Sequence, residues 1–159
     1  MPLKKVLENI FLDKELIEKV KFLGKLDVFN GLDYRALARV YQIMEVKNYN
    51  AGEVIFSEGD IGRAIFIIKK GEVALSKSGK PLATVKDGEF FGEMALLEGV
   101  PRTATAKTVC ASEIGFIYKV RFDSLMEAYP ALGLKIVHNL ARLLSYRLRQ
   151  TSAQYVKSI

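Results

Sequence analysis

Residues 91–106 read FGEMALLEGVPRTATA, a stretch that places glycines at 92 and 99 before an arginine at 102. Gly92 carries no Cβ, so a ligand can approach the backbone closely at that point. Residues 94–98 can form one helical turn, whose unpaired N–H groups favour an anion in front of them. Residues 99–101 then turn the chain back. This brings Arg102 to the start of the helical turn, where a guanidinium can hold phosphate oxygens by two parallel hydrogen bonds.

Glu93 is an unexpected neighbour for a phosphate, because like charges repel. A carboxylate fits there if it accepts a hydrogen bond from a sugar hydroxyl, as acidic residues do for ribose in dinucleotide sites. One anion-binding group beside one hydroxyl-binding group describes a ribose that carries a phosphate. The alternative that the spacing leaves open is an ion pair between Glu93 and Arg102.

The central zone, residues 44–120, has the rhythm of short strands. Apolar or alternating runs occur at 54–56, 65–68, 73–75, 82–85 and 114–117, separated by glycines roughly 7–12 residues apart, as in sandwiches and barrels. Residues 78–81 (SGKP) predict a hairpin tip. Because no long helix interrupts the strands, we predict an α+β, mainly β fold. It is an antiparallel β-roll or jelly-roll barrel flanked by N-terminal helices and a C-terminal helix pair.

Helical patterns occupy both ends of the chain. Asp13 and Asp33 can cap helices within an N-terminal zone at residues 1–43. Residues 121–150 predict a pair of hinge or lid helices, the longer from about Ala131 to Gln150, followed by a tail at 151–159; all zones form one domain. The long helix carries two apolar rows, namely Leu134, Val137, Ala141, Leu144, Leu148 and Ile136, Leu140, Leu143. One row fits a homodimer seam; the alternative is a single broad face packed on its own domain.

Composition excludes several classes of protein. The single Cys110 rules out an internal disulfide framework and any multi-cysteine zinc site. The apolar runs are shorter than a membrane span and no signal peptide is visible, so a cytoplasmic location is expected. A net charge of +6 suits an anionic ligand, a nucleic acid or an acidic surface. The only histidine, His138, lies outside the strand zone, so a cupin-like metal barrel or a histidine-based catalytic triad cannot be assembled.

Residues 91–106 closely resemble the phosphate-binding cassette of the cyclic-nucleotide-binding domain family, whose pattern runs Phe-Gly-Glu-x-Ala-Leu, then Pro-Arg-x-Ala. The likeness extends from about Phe29 to Arg147. The resemblance implies that Arg102 neutralises a cyclic phosphate and that Glu93 accepts the ribose 2′-hydroxyl. The family's remaining ligand-binding positions correspond to backbone groups and pocket-lining side chains at Gly92, Met94, Ala95, Thr103, Leu75, Leu82 and Ala83. Leu75 and Leu82 can equally be ordinary core residues.

At two further positions, Thr103 and Arg147, the resemblance allows more than one role. Thr103 can meet the phosphate or the amino group of a guanine, or be an ordinary strand residue; cAMP is favoured over cGMP because it is the commoner ligand of the family. By comparison with the catabolite activator branch, Arg147 falls where a lid residue stacks on the base. The alternative for Arg147 is a solvated cation at a helix end.

The resemblance leaves the output of the domain open. Members of the catabolite activator branch continue into a DNA-reading helix-turn-helix, which this sequence lacks, so specific DNA binding is not expected. We predict a stand-alone regulatory module that binds a cyclic nucleotide, uses no metal, is not an enzyme and acts on an unidentified protein partner. The alternative is a vestigial fold that serves as a protein-interaction module without ligand.

Overall fold

The computed structural model describes residue 14 and residues 16–157. The described chain divides into two compact units. One unit is Ile43–Ser124 and contains the strands; the other combines the described residues up to Gln42 with those from Leu125 onward and is helical. The expected helix cap at Asp13 lies outside the described residues. That all zones form one domain stays a prediction.

The strand unit is built from two four-stranded antiparallel sheets. The strands are β1 (Met44–Tyr49), β2 (Val54–Phe56), β3 (Ala64–Lys70), β4 (Glu72–Lys77), β5 (Lys80–Lys86), β6 (Phe90–Phe91), β7 (Thr105–Thr108) and β8 (Ser112–Tyr118). The sheet orders are β1-β8-β3-β6 and β2-β7-β4-β5. The antiparallel, mainly β fold is therefore confirmed as a β-roll, with two sheets rather than one closed barrel in this part of the chain.

The apolar sequence of strand β3 fits its place in the interior of the strand unit. Ala64, Ile65, Phe66, Ile67 and Ile68 are all buried, which means that both faces of the strand are covered, since successive side chains point to opposite faces. Within its sheet, β3 lies between β8 and β6. Strand β5 is the opposite case. It lies at the edge of its sheet, and of its residues only Val85 is buried.

The predicted hairpin tip is confirmed between β4 and β5. Lys77 pairs with Lys80, which leaves Ser78 and Gly79 as a two-residue loop. Both have positive φ, 48° and 75°, the backbone that type I′ hairpin turns require. Glycine adopts it without cost, whereas Ser78 needs local support.

The helical unit begins with α1 (residues 16–24) and a 3-10 turn at Asp27–Phe29. Helix α2 (Tyr34–Ile43) is capped by Asp33, whose Oδ1 accepts a hydrogen bond from the Ala36 amide at 2.8 Å, as predicted. After the cassette helix α3 (Met94–Leu97) come α4 (Lys119–Ala128) and α5 (Pro130–Lys157).

Helix α5 differs from the sequence-based prediction in its length. It continues to Lys157, so most of the segment expected as a tail is helical. Residues 150–157 contain no glycine or proline, and nothing local therefore stops the helix at Gln150. No helix in the described part of the chain combines the length and hydropathy needed to cross a bilayer.

Candidate functional site

The cassette begins where β6 ends. Phe91 pairs with Phe66 of β3, and the chain then turns at Gly92 with φ +74°. Glu93 and α3 follow; the Leu97 amide donates to the Glu93 carbonyl at 3.2 Å and the Glu98 amide to that of Met94 at 2.9 Å. The single helical turn expected after Gly92 is therefore present, and the left-handed backbone at Gly92 explains why glycine stands there.

The return arm of the cassette is fixed to the loop between β2 and β3. Pro101 forms a β-bridge with Ile61. The Arg102 amide donates to the Asp60 carbonyl, and the Gly59 amide donates to the Arg102 carbonyl, both at 2.8 Å. These backbone bonds hold the Cα of Arg102 in place and so fix the point from which its side chain extends.

The Arg102 side chain points inward and is only 8% exposed. Its Nη1 donates to the Gly92 carbonyl at 3.1 Å and its Nη2 to the Ala64 carbonyl at 2.8 Å. The Nε atom is buried and has no hydrogen-bond partner within the described structure. The guanidinium thus joins β3 to the turn after β6 and keeps one buried donor unused.

Aromatic rings complete the surroundings of the guanidinium. Its Cζ lies 4.2 Å from the ring centroid of Phe56 and 5.3 Å from that of Phe66. Burial lowers the pKa of Arg102, while the negative charges of Asp60 and then Glu93 raise it. Because arginine starts from so high a pKa, it stays a cation at working pH despite this shift. The cassette therefore holds a fixed, buried positive charge.

Glu93 lies close enough to Arg102 to influence that pKa, which brings together the two residues expected to serve phosphate and ribose. The Arg102 guanidinium donates to two backbone carbonyls, and an ion pair between Glu93 and Arg102 stays open as the alternative to the predicted roles. Met94 and Thr103 also meet, with the Thr103 hydroxyl 3.8 Å from the Met94 sulfur. The side chain of Ala95 lies outside the described residues.

The residues expected to line a base pocket lie on the β4–β5 hairpin. Leu75 of β4 pairs with Ala83 of β5, and Leu75 packs against the core of the unit. Leu82 is 58% exposed, so it is not an ordinary core residue. Arg147 belongs to α5 in the helical unit, and its stacking on a base stays a prediction.

The groups that support Arg102 were not predicted from the sequence. The Ala64 carbonyl cannot be recognised from the sequence, because every residue has a backbone carbonyl. Phe56 and Phe66 have the pattern of ordinary strand residues, and nothing in their spacing indicates a cation above them. Among the described residues, no group of three or more His, Cys, Asp or Glu side chains is placed to hold a metal ion.

Comparisons with known proteins agree with this geometry. A family model described as "Cyclic nucleotide-binding domain" matches residues 46–129, more than half of the 159-residue chain. The "Cyclic AMP receptor protein" of Thermus thermophilus is 30% identical over 132 residues, 80% of this chain and 59% of that protein. A "cGMP-dependent protein kinase" of Toxoplasma gondii is 38% identical over 97 residues, 61% of this chain and 10% of the kinase.

The fold has a close counterpart among solved structures. The crystal structure of a cyclic nucleotide-binding domain from Methylobacillus flagellatus superimposes with a TM-score of 0.80, at 23% identity, covering 92% of this chain and 85% of that one; at that identity it speaks for the fold alone. The chain spans less than two thirds of the length of either curated relative. The match over residues 46–129, together with the cassette geometry, shows that this chain belongs to the cyclic nucleotide-binding domain family.

Proposed function

We propose that the chain binds cAMP at residues 91–106 and acts as a regulatory sensor module on a protein partner. The observation that carries this proposal is the buried guanidinium of Arg102, which keeps a donor, Nε, without a partner. A buried, unsatisfied donor costs about 1–3 kcal/mol. An anionic oxygen that reached it would relieve this cost and neutralise the charge.

The chemistry of the guanidinium fits a phosphate. Arginine has five N–H groups in a rigid fork, and the bonds to the Gly92 and Ala64 carbonyls use one from each terminal nitrogen. The remaining donors are geometrically suited to two oxygens of one phosphate. Because the fork is already held by the protein, little side-chain entropy remains to be lost when the phosphate binds.

Glu93 supplies the second half of the proposed site. A carboxylate and a phosphate repel each other, and a hydrogen bond to the carboxylate offsets that cost. The ribose 2′-hydroxyl of a cyclic nucleotide, next to the phosphate-bearing 3′ carbon, is such a donor. We place the base against Leu75, Leu82 and Ala83, with Met94 and Thr103 beside the phosphate and Arg147 as the lid. The exposure of Leu82 supports this placement, since a bound purine would cover it.

The choice of cAMP over cGMP rests on the commoner ligand of the family and on the Thermus thermophilus relative, which is a cyclic AMP receptor. The Toxoplasma gondii relative is a cGMP-dependent kinase, which makes cGMP the direct competitor. Ligand binding without catalysis and a cytoplasmic location also stay proposals.

Isothermal titration of the chain with cAMP and cGMP tests the proposal. We expect micromolar or tighter binding of cAMP. Changing Arg102 to Ala should weaken it by about 2–5 kcal/mol, because a buried charge pair is lost. Arg102→Lys keeps the charge but not the fork and should also bind weakly. Arg121→Ala is the matched control: Arg121 lies in the same unit but forms an exposed ion pair with Glu45 at 3.3 Å.

The result that would overturn the proposal is a folded wild-type chain that gives no binding heat with either nucleotide at millimolar concentration. That result would favour the alternative, a vestigial fold that serves as a protein-interaction module. Equal losses in Arg102→Lys and Arg121→Ala would also contradict a role for the fork.

A further inference from the structure

Two aromatic rings pack against the face of the Arg102 guanidinium, and neither ring belongs to the cassette. Phe56 lies on β2 and Phe66 on β3, with ring centroids 5.5 Å apart. The cation lies over both rings, closer to Phe56 at 4.2 Å than to Phe66 at 5.3 Å. The negative face of an aromatic ring attracts a cation at such distances, and more strongly when water is excluded.

The rings matter because the hydrogen bonds to Arg102 are few for so buried a cation. Two carbonyls accept from its terminal nitrogens, and burial still lowers its pKa. Without the rings, the side chain would gain by turning toward water, since an arginine stem is flexible. The ring face of Phe56 offsets part of that gain and favours the inward orientation.

We propose that Phe56 is a positioning residue for the nucleotide phosphate, acting through Arg102; this rests on the proposed function. The ring keeps the fork in the orientation that meets the phosphate before the ligand arrives. If the guanidinium populated an outward conformer as well, the apparent affinity would fall by the fraction of time spent there. The effect of Phe56 is thus on ligand binding as well as on stability.

Phe56 is a better test position than Phe66. Phe66 stacks on Phe91 at 5.2 Å and also meets Phe116 at 6.0 Å, so its loss would damage the centre of the sheet. Phe56 is only half-buried, and β2 is the outer strand of its sheet. A change there removes the ring face over the cation with less damage to the core.

The binding test compares Phe56→Leu with Phe56→Tyr and with Phe116→Leu. Phe116 is a half-buried member of the same aromatic cluster, so Phe116→Leu removes the same atoms from it. By isothermal titration with cAMP, Phe56→Leu should bind about two- to thirtyfold more weakly, the range of a partly to fully desolvated cation–π contact. Phe56→Tyr, which keeps the ring face, should bind like wild type. Equal affinity losses in the two leucine variants would overturn the proposal.

A second measurement needs no nucleotide and keeps this proposal separate from the proposed function. In the ligand-free chain the Arg102 Nε–H is buried beside a ring, so its NMR signal should be shifted by the ring current and exchange slowly with water. Phe56→Leu should reduce the ring-current shift to the part that the more distant Phe66 ring contributes and should speed exchange, whereas Phe116→Leu should do neither. If Phe56→Leu leaves the signal unchanged, Phe56 does not position Arg102. If wild type shows the signal but binds no cyclic nucleotide, the support exists and only the proposed function fails.

Discussion

A positive charge buried at the end of a loop is costly, and Arg102 shows how the sequence around it offsets that cost. Its carbonyl partners come from a glycine turn and from the first residue of β3. Two separate requirements favour glycine at position 92. It adopts the left-handed φ of +74°, and a Cβ at this position would lie 2.6 Å from Arg102 Nη1.

Replacing Gly92 by Ala should therefore affect ligand binding more than folding. The left-handed backbone costs alanine roughly 1–2 kcal/mol, and the new methyl group must also push the guanidinium aside. Because that guanidinium is the end of a flexible side chain, it can move, but it then leaves its place in the site. We expect at least tenfold weaker cAMP binding by isothermal titration, with a loss of unfolding free energy near the backbone cost in urea titrations.

Gly99→Ala is the matched control for this prediction. Gly99 also has a left-handed φ, +66°, but a Cβ there would meet nothing within 4 Å. The two variants share the backbone strain and differ in the contact with Arg102. If both lose stability alike and neither loses affinity, the contact with Arg102 has no part in binding.

The sequence predicts which residues belong to the candidate site but not the groups that support Arg102, and the roles of Arg102 and Glu93 toward a ligand stay predictions. Arg102 and Glu93 were predicted from their residue types and from the family pattern, and the structure brings them together. Phe56, Phe66 and the Ala64 carbonyl could not be predicted, because Phe56 and Phe66 lie on strands of different sheets and come together only through tertiary packing, which local spacing does not show. A phenylalanine that packs in a core and one that supports a cation have the same sequence pattern.

At the scale of elements, the β4–β5 hairpin depends on a neighbouring loop. Glu58 lies in the loop between β2 and β3. Its Oε2 accepts a hydrogen bond from the Ser78 amide at the hairpin tip, at 2.8 Å. The Glu58 amide in turn donates to Thr105 Oγ1 of β7 at 2.9 Å. Since Ser78 has the unfavourable φ of 48°, this carboxylate supports the turn that carries the proposed base-contacting residues.

Glu58→Ala should loosen the hairpin tip. We expect faster hydrogen exchange of the Ser78 amide and a loss of about 1 kcal/mol of unfolding free energy, the usual worth of one partly exposed hydrogen bond. Glu89→Ala is the control, because Glu89 Oε2 accepts from the Lys86 amide at the same 2.8 Å but only within its own turn. Unchanged exchange at Ser78 in Glu58→Ala would show that the carboxylate does not hold the hairpin.

The strands were predicted where their pattern is strong. The five apolar runs fall in β2, β3, β4, β5 and β8. Strands β1, β6 and β7 were not predicted individually. β1 is exposed over three successive residues and so lacks alternation, and β6 has only two residues, Phe90–Phe91. Such strands form because neighbouring strands pair with them. That pairing depends on the whole sheet, so the short segment alone does not indicate it.

Helix α5 presents an apolar row to solvent. Ile136 and Leu140 are buried, whereas Leu134 is 72% and Leu148 68% exposed. A single broad buried face would have covered both rows, so their separation supports the predicted seam with a second copy over that alternative. The helix also extends the row beyond the predicted end, because Tyr155 continues the spacing of Leu148 and is 67% exposed. Alternating steps of three and four residues are the pattern of a two-helix seam.

We therefore predict a homodimer through α5, with a mass by sedimentation equilibrium of twice the 17.8 kDa of one chain. The double variant Leu134→Glu, Leu148→Glu should be monomeric, because the charges would have to be desolvated in the seam, and its circular dichroism should keep the helical signal. Gln150→Glu adds the same side chain on the same helix outside the row and should stay dimeric. A wild-type chain that sediments as a monomer at the highest concentration reached would rule the seam out. The exposed row would then be available to the partner on which the proposed sensor acts, and the double variant would test that contact next.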